Sequence, residues 1–198
     1  MPAKGDHTRR DIMEKSLQLF CVKGYYNTSI NDILKATGLT KGGLYGHFAS
    51  KADIWYAVYD EALTIWKAVI FKGIEPGSNP LIRIRTLIEN DIRNKLGNNI
   101  FGGGCFFHSM LVELSGQSDA MCERLLQGFT QLAGLLCAWL EQADQQGMLK
   151  ADLNFKEIAN HIIISLNGAA ALYASSRDPA ILDQTVNQLR FYIRQLEK

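Results

Sequence analysis

Four side chains in one short stretch carry chemistry that a protein core does not need. Within residues 40–51, Lys41 and Lys51 supply cations, Tyr45 a ring with a hydroxyl, and His47 a hydrogen-bond donor. Between them stand Thr40, Gly42 and Gly43, small enough to permit close approach to another surface. Cations and hydroxyls suit a phosphodiester backbone, and small residues suit the edges of bases. A catalytic reading has less to stand on. His7, His47, His108 and His161 have no metal-ligand spacing, and no nucleophile–base motif is visible, so no metal, no cofactor and no enzyme is expected.

The elements that must position these groups are legible around them. Residues 8–23 carry Ile12, Leu17 and Phe20 at helical spacing, with Thr8 and Asp11 as a short capping box and Gly24 as the C-terminal stop. Residues 29–37 form a second short helix closed by Gly38, and Thr40 caps a third. Ser50 and Asp53 cap a fourth, which runs to about residue 72. Two short helices joined by a Gly-Leu turn read as a helix-turn-helix, whose second helix begins at Thr40 and presents its N-terminus to a major groove. The free N–H groups there favour a phosphate. Gly42 and Gly43 cost the helix roughly 1 kcal/mol each, which makes sense if bulk must be absent.

At this point a resemblance is plain. The stretch TSINDILKATGLTKGGLYGHFASKADIW, residues 28–55, resembles the N-terminal domain of the TetR family of transcriptional repressors. Gly38, Lys41, Gly42, Leu44, Tyr45, Phe48, Ser50 and Lys51 fall in register, and SLQLFCVKGYY matches the family's upstream motif. Departures are mild: Leu34, Lys35, Gly46 and Trp55 stand where other residues are usual. The resemblance implies an all-α homodimer on a roughly palindromic operator of double-stranded DNA. It implies that Thr28, Lys41, Tyr45, His47 and Lys51 touch phosphates, and that Thr40, Gly42 and Gly43 face base edges. Residues 1–52 are expected to form the DNA-binding domain and residues 53–198 an effector-binding and dimerisation domain.

Charge distribution agrees with this division. Residues 1–51 hold eight Lys/Arg against four acids, a balance of +4, although the whole chain of 198 residues stands at only +1. There is no run of roughly 18 apolar residues and no apolar stretch at the N-terminus of signal-peptide type, so no membrane partner and a cytoplasmic location are expected. Four cysteines without a C-x-x-C pair argue against a disulfide framework.

The remaining sequence reads as further helices, about nine in all: residues 81–96, 105–114, 120–146, 155–175 and 180–196. The last two are expected to make the dimer interface, using Ser165, Gly168, Ala169, Ala170 and Ala171 for close approach, and Leu182, Val186, Leu189, Phe191 and Ile193 for apolar area. The middle gathers candidates for an effector pocket: Trp66, Phe101, Cys105, Phe106, His108, Phe129, Trp139 and Tyr173. A largely apolar cavity with one or two polar groups suits a small hydrophobic molecule. Cys105 admits two readings. GGGCFFHSMLVEL resembles a G-C-x-x-x-x-x-x-x-E pattern in one branch of these repressors, some of which respond to reactive electrophiles or oxidants, with His108 placed to support a thiolate. Equally, Cys105 is a small apolar residue in a core.

Overall fold

A computed structural model describes residues 4–102 and 104–198 of the chain. Its described residues form nine α-helices and one π-helical segment: α1 (Lys4–Lys23), α2 (Ile30–Thr37), α3 (Lys41–Tyr45), α4 (Lys51–Ile70), α5 (Pro80–Glu89), the π segment Asn90–Gly97, α6 (Phe106–Leu114), α7 (Asp119–Gln145), α8 (Phe155–Ser176) and α9 (Pro179–Leu196). Among the described residues no helix is long and apolar enough to cross a membrane.

Local chemistry sets most of these boundaries. Gly24 (φ +83°) and Gly38 (φ +70°) end α1 and α2 in the left-handed conformation that favours glycine. Ser29 and Asp32 close a reciprocal capping box at the start of α2, and Thr40 accepts from the Gly43 N–H at the start of α3. Ser50 does the same for Asp53 in α4. Pro80 and Pro179 each occupy a first helical turn, behind the caps Asn79 and Asp178.

Helices α1–α3 make a small head around Ile12, Phe20, Ile33, Leu44 and Phe48, all buried. Helix α4 packs against α1 at one end and against the π segment further on. The expected domain boundary after residue 52 thus falls inside a continuous helix. In the body, α7 packs on α5, α6 and α8, and α9 packs on α5, α8 and the π segment.

Three expectations need correction. Helix α1 starts at Lys4, so Thr8 lies within it rather than at its N-cap position. The helix expected over residues 81–96 changes at Asn90 into a π-helix. Asn90 explains part of this: its amide donates to Ile70 O (3.0 Å) and Lys72 O (2.8 Å), tying the wide turn to the end of α4. Finally, most of the α9 residues expected at a dimer interface (Leu182, Val186, Leu189 and Ile193) are buried within the single chain, as are Ala169 and Ala170. Phe191 alone of that α9 set is exposed.

Candidate DNA-binding head and effector pocket

Helix α3 stands at the surface of the head. Thr40, Lys41, Gly42 and Tyr45 are exposed, and a β-carbon added at Gly42 would meet open space. Gly43 is half-buried against Thr40 and Leu39. His47 is half-buried, and its carbonyl accepts from Arg9 Nη1 at 2.8 Å. The Arg9 guanidinium also covers the Phe48 ring at 4.1 Å, so a cation from α1 is fixed beside the start of α4.

Two of the residues expected at phosphates make internal hydrogen bonds in the structure. Thr28 is fully buried, and its hydroxyl donates to Gly24 O at 2.6 Å. Lys51 donates from Nζ to Tyr25 O (2.9 Å) and Thr28 O (3.0 Å), with the Tyr25 ring 4.2 Å away. Partial burial lowers the Lys51 pKa, while the nearby Glu113 charge opposes the shift. Both residues therefore hold the turn after α1, supplying donors to its carbonyls at Gly24, Tyr25 and Thr28.

Glu113 completes that junction. Its carboxylate, carried on α6, accepts the backbone N–H of Tyr25 and of Tyr26, each at 2.8 Å. A β-carbon at Gly24 would lie 2.6 Å from both Glu113 oxygens, so only glycine lets the carboxylate approach. Asp32 is the other carboxylate committed to the head. The Ser29 hydroxyl, then Lys23, hold it well below the usual carboxylate range. A carboxyl lowered in the folded state stabilises the fold above its ordinary pKa, about 3.9, and loses that contribution as pH falls through the folded value. The head is expected to melt at lower temperature in acid, and Asp32→Asn to flatten that dependence in a series of circular-dichroism melts.

The opposite end of α6 borders a cavity of about 40 Å³ between α4, the π segment, α7 and α8. Its walls are mostly apolar: Leu63, Trp66, Phe107, Phe129 and Leu132. Gly128 also lies there, where a β-carbon would be 2.8 Å from the Tyr59 hydroxyl. Phe107 is the hub of a ring cluster, with centroids 5.4 to 5.9 Å from Phe106, Tyr59, Trp66 and Phe101.

One corner of the cavity is charged. Lys95 and Asp91 form an ion pair, Nζ to the carboxylate oxygens at 2.6 and 2.7 Å, with both side chains almost wholly buried. Trp66 Nε1 donates to the same carboxylate at 3.1 Å, and Lys95 Nζ lies 3.7 Å from the Cys105 sulfur. Burial alone would lower the Lys95 pKa, but the Asp91 charge, helped by Cys105, raises it, so the ammonium stays charged.

Comparison with known proteins accounts for this architecture. The model of the bacterial regulatory proteins of the tetR family matches residues 12–58, and that of the tetracyclin repressor-like C-terminal domain matches residues 80–189. The chain belongs to the TetR family. Among curated relatives it is similar to the transcriptional repressor DhaR of Mycobacterium sp. strain GP1, 28% identical over 176 residues, or 89% of this chain and 87% of DhaR. A TetR regulator from Chloroflexus aurantiacus superposes with a TM-score of 0.91 at 25% identity, covering 98% of both chains. The fold is shared with a TetR-family regulator from Cytophaga hutchinsonii, TM-score 0.88 at 24% identity, over 100% of this chain and 98% of that one. The protein is thus a DNA-binding transcriptional regulator.

In this TetR-family regulator the structure brings only part of the expected pocket set together. Trp66, Cys105 and Phe129 line the cavity. Phe101 and Phe106 stand behind Phe107 as packing, and Trp139 lies under the Arg83 guanidinium at 5.2 Å. Tyr173 packs near Arg177, and His108 is half-buried on α6; neither is a cavity wall. The polar neighbour of Cys105 is Lys95, not His108. Asp91, Lys95 and Asn167 are the polar wall residues that sequence reasoning missed.

Proposed function

We propose that the protein is a homodimeric repressor that holds a palindromic operator and lets go when a small molecule occupies the cavity in the body. The observation that carries this reading is the placement of α6. Cys105 and Phe107 at its start border the cavity, and Glu113 near its end holds the turn after α1. Eight residues of helix separate Cys105 from Glu113, about 12 Å at 1.5 Å per residue. A ligand that moves Phe107 moves the same rigid element that grips the head. Cys105, with 4% exposure, serves as a wall of the cavity.

DNA contact rests on Lys41, Tyr45 and His47 with the small surface of Thr40, Gly42 and Gly43. Lys41→Ala is expected to reduce the slope of log affinity against log salt by about 0.9 for each half-site. Lys51→Ala is expected to leave that slope unchanged, because its ammonium is engaged by Tyr25 and Thr28. Anisotropy titrations over a salt series, on DNA from upstream of the gene, separate the two. Equal losses of slope would restore Lys51 to the phosphate contacts.

Dimerisation is supported by an uncovered stripe on α8. Ile164 and Leu172 are 70% and 62% exposed and flank Gly168, and Phe191 of α9 is 51% exposed. Residues four apart share one helix face, so Ile164, Gly168 and Leu172 form one strip for a second copy. Leu172→Arg touches no core contact, yet it is expected to convert the protein to a monomer in sedimentation and to weaken operator binding at least a hundredfold through lost bivalency. A dimer that persists would move the interface elsewhere.

The direct test of the whole reading is release. Compounds that bind the purified protein are titrated into its operator complex. Loss of anisotropy at concentrations matching the binding curve supports effector control; binding without any release sinks it.

A further inference from the structure

The charged corner of the cavity limits what kind of molecule belongs there. Lys95 has three N–H donors. One is donated to Asp91 Oδ2 at 2.7 Å, with Oδ1 as close at 2.6 Å, and another meets only the Cys105 sulfur at 3.7 Å, a weak acceptor at long range. Across the cavity Asn167 donates to Ile163 O at 2.9 Å, and its side-chain oxygen accepts no hydrogen bond among the described residues. The Lys95–Asp91 pair is neutral as a whole, and Trp66 Nε1 anchors Asp91 so that it does not swing away. A ligand carrying a charge of either sign would add an uncompensated charge to a buried and already balanced pair, which a low-dielectric site disfavours strongly.

We infer that the cavity takes a small uncharged molecule with an apolar body and one oxygen acceptor, a carbonyl or hydroxyl, which receives the Lys95 proton now facing the Cys105 sulfur. A hydrogen bond from an ammonium to oxygen is shorter and stronger than the contact with sulfur that it replaces. A cavity of about 40 Å³ holds about three waters. An apolar cavity that takes benzene measures about 150 Å³, so the occupant here is smaller than a six-membered ring, with about three or four non-hydrogen atoms. The ring faces of Trp66, Phe107 and Phe129 receive its apolar body. This inference rests on the reading of the cavity as the effector site, but its test is independent of DNA release.

The experiment uses the 198-residue chain and five probes at neutral pH: acetone and 1-propanol, which are uncharged with one oxygen; isobutane, which has none; acetate; and ethylammonium. Binding is followed by calorimetry and by tryptophan fluorescence, to which Trp66 reports from the cavity wall. Acetone and 1-propanol are expected to bind at least tenfold more tightly than isobutane and than either ion. In the double variant Lys95→Met/Asp91→Leu, which removes the pair without leaving a lone charge, the ratio of acetone to isobutane affinity is expected to fall to about one. Acetate or ethylammonium binding as tightly as 1-propanol would overturn the inference. So would isobutane matching acetone in the unaltered protein, a ratio unchanged in the double variant, or no binding of either oxygen-bearing probe. Neutral probes that bind without releasing DNA would leave the ligand class standing and defeat the repressor-release reading. An ion that binds and releases DNA would do the reverse.

Discussion

Glu113→Ala is expected to loosen the head from the body by about 2 kcal/mol. The carboxylate accepts two backbone N–H groups at 2.8 Å, and hydrogen bonds to charged groups are worth about 1.5–3 kcal/mol each, discounted here because Glu113 is half-exposed. Amide exchange at Tyr25 and Tyr26 should quicken about thirtyfold, the equivalent of that free energy if exchange follows local opening. Operator binding should persist, since α3 does not touch Glu113, but it should no longer respond to a ligand in the cavity. Glu113→Gln keeps an acceptor oxygen and is expected to fall between the two. Unchanged exchange at Tyr25 and Tyr26 in the alanine variant would mean that the junction is held by Lys51 and Thr28 without help from α6.

The second large effect is expected at Lys95. Lys95→Met leaves Asp91 charged and buried with, among the described residues, the Trp66 indole as its remaining side-chain partner, and removing one member of a buried ion pair costs about 3–5 kcal/mol. Adding Asp91→Leu removes the stranded charge. The double variant is expected to recover most of the loss, because buried pairs replaced by apolar side chains of similar volume are often neutral for stability or better. Urea unfolding of the three proteins measures the cycle. A single variant as stable as the parent would show that water reaches Asp91 and that the corner is wetter than its burial implies.

How much of this was readable from residue order differs between head and body. The head was legible because its signals are local: Gly24 and Gly38 need positive φ, Thr40 and Ser50 cap, and Ile33, Leu44 and Phe48 fall on inward faces. Thr28 and Lys51 are conspicuous in the sequence for one reason and are placed in the structure for another. A hydroxyl and a cation next to a DNA-facing helix look like phosphate contacts, and only the path of the chain reveals carbonyls closer at hand. In the body, apolar spacing located the helices but not the π turn, because Ile84, Ile88, Ile92 and Leu96 keep a four-residue step through it. Asp91 and Lys95 were overlooked because acid and base four apart on a helix usually mark a solvated face. Here the widened turn, fastened by Asn90, directs that pair inward. The aromatic candidates were too many, since ring packing and cavity lining draw on the same residue types.

The close fit of Glu113 over Gly24 bears on how such sequences can drift. A side chain at position 24 and a carboxylate reaching in from position 113 exclude each other, because the first β-carbon would stand 2.6 Å from both oxygens. A side chain at position 24 would push the carboxylate off Tyr25 and Tyr26 and open the junction, and it would also be strained at φ +83°. In related chains a glutamate at position 113 is therefore expected only where position 24 is glycine, whereas the glycine, needed for its own backbone conformation, is free to persist without the glutamate, so that the dependence between two positions 89 residues apart runs one way.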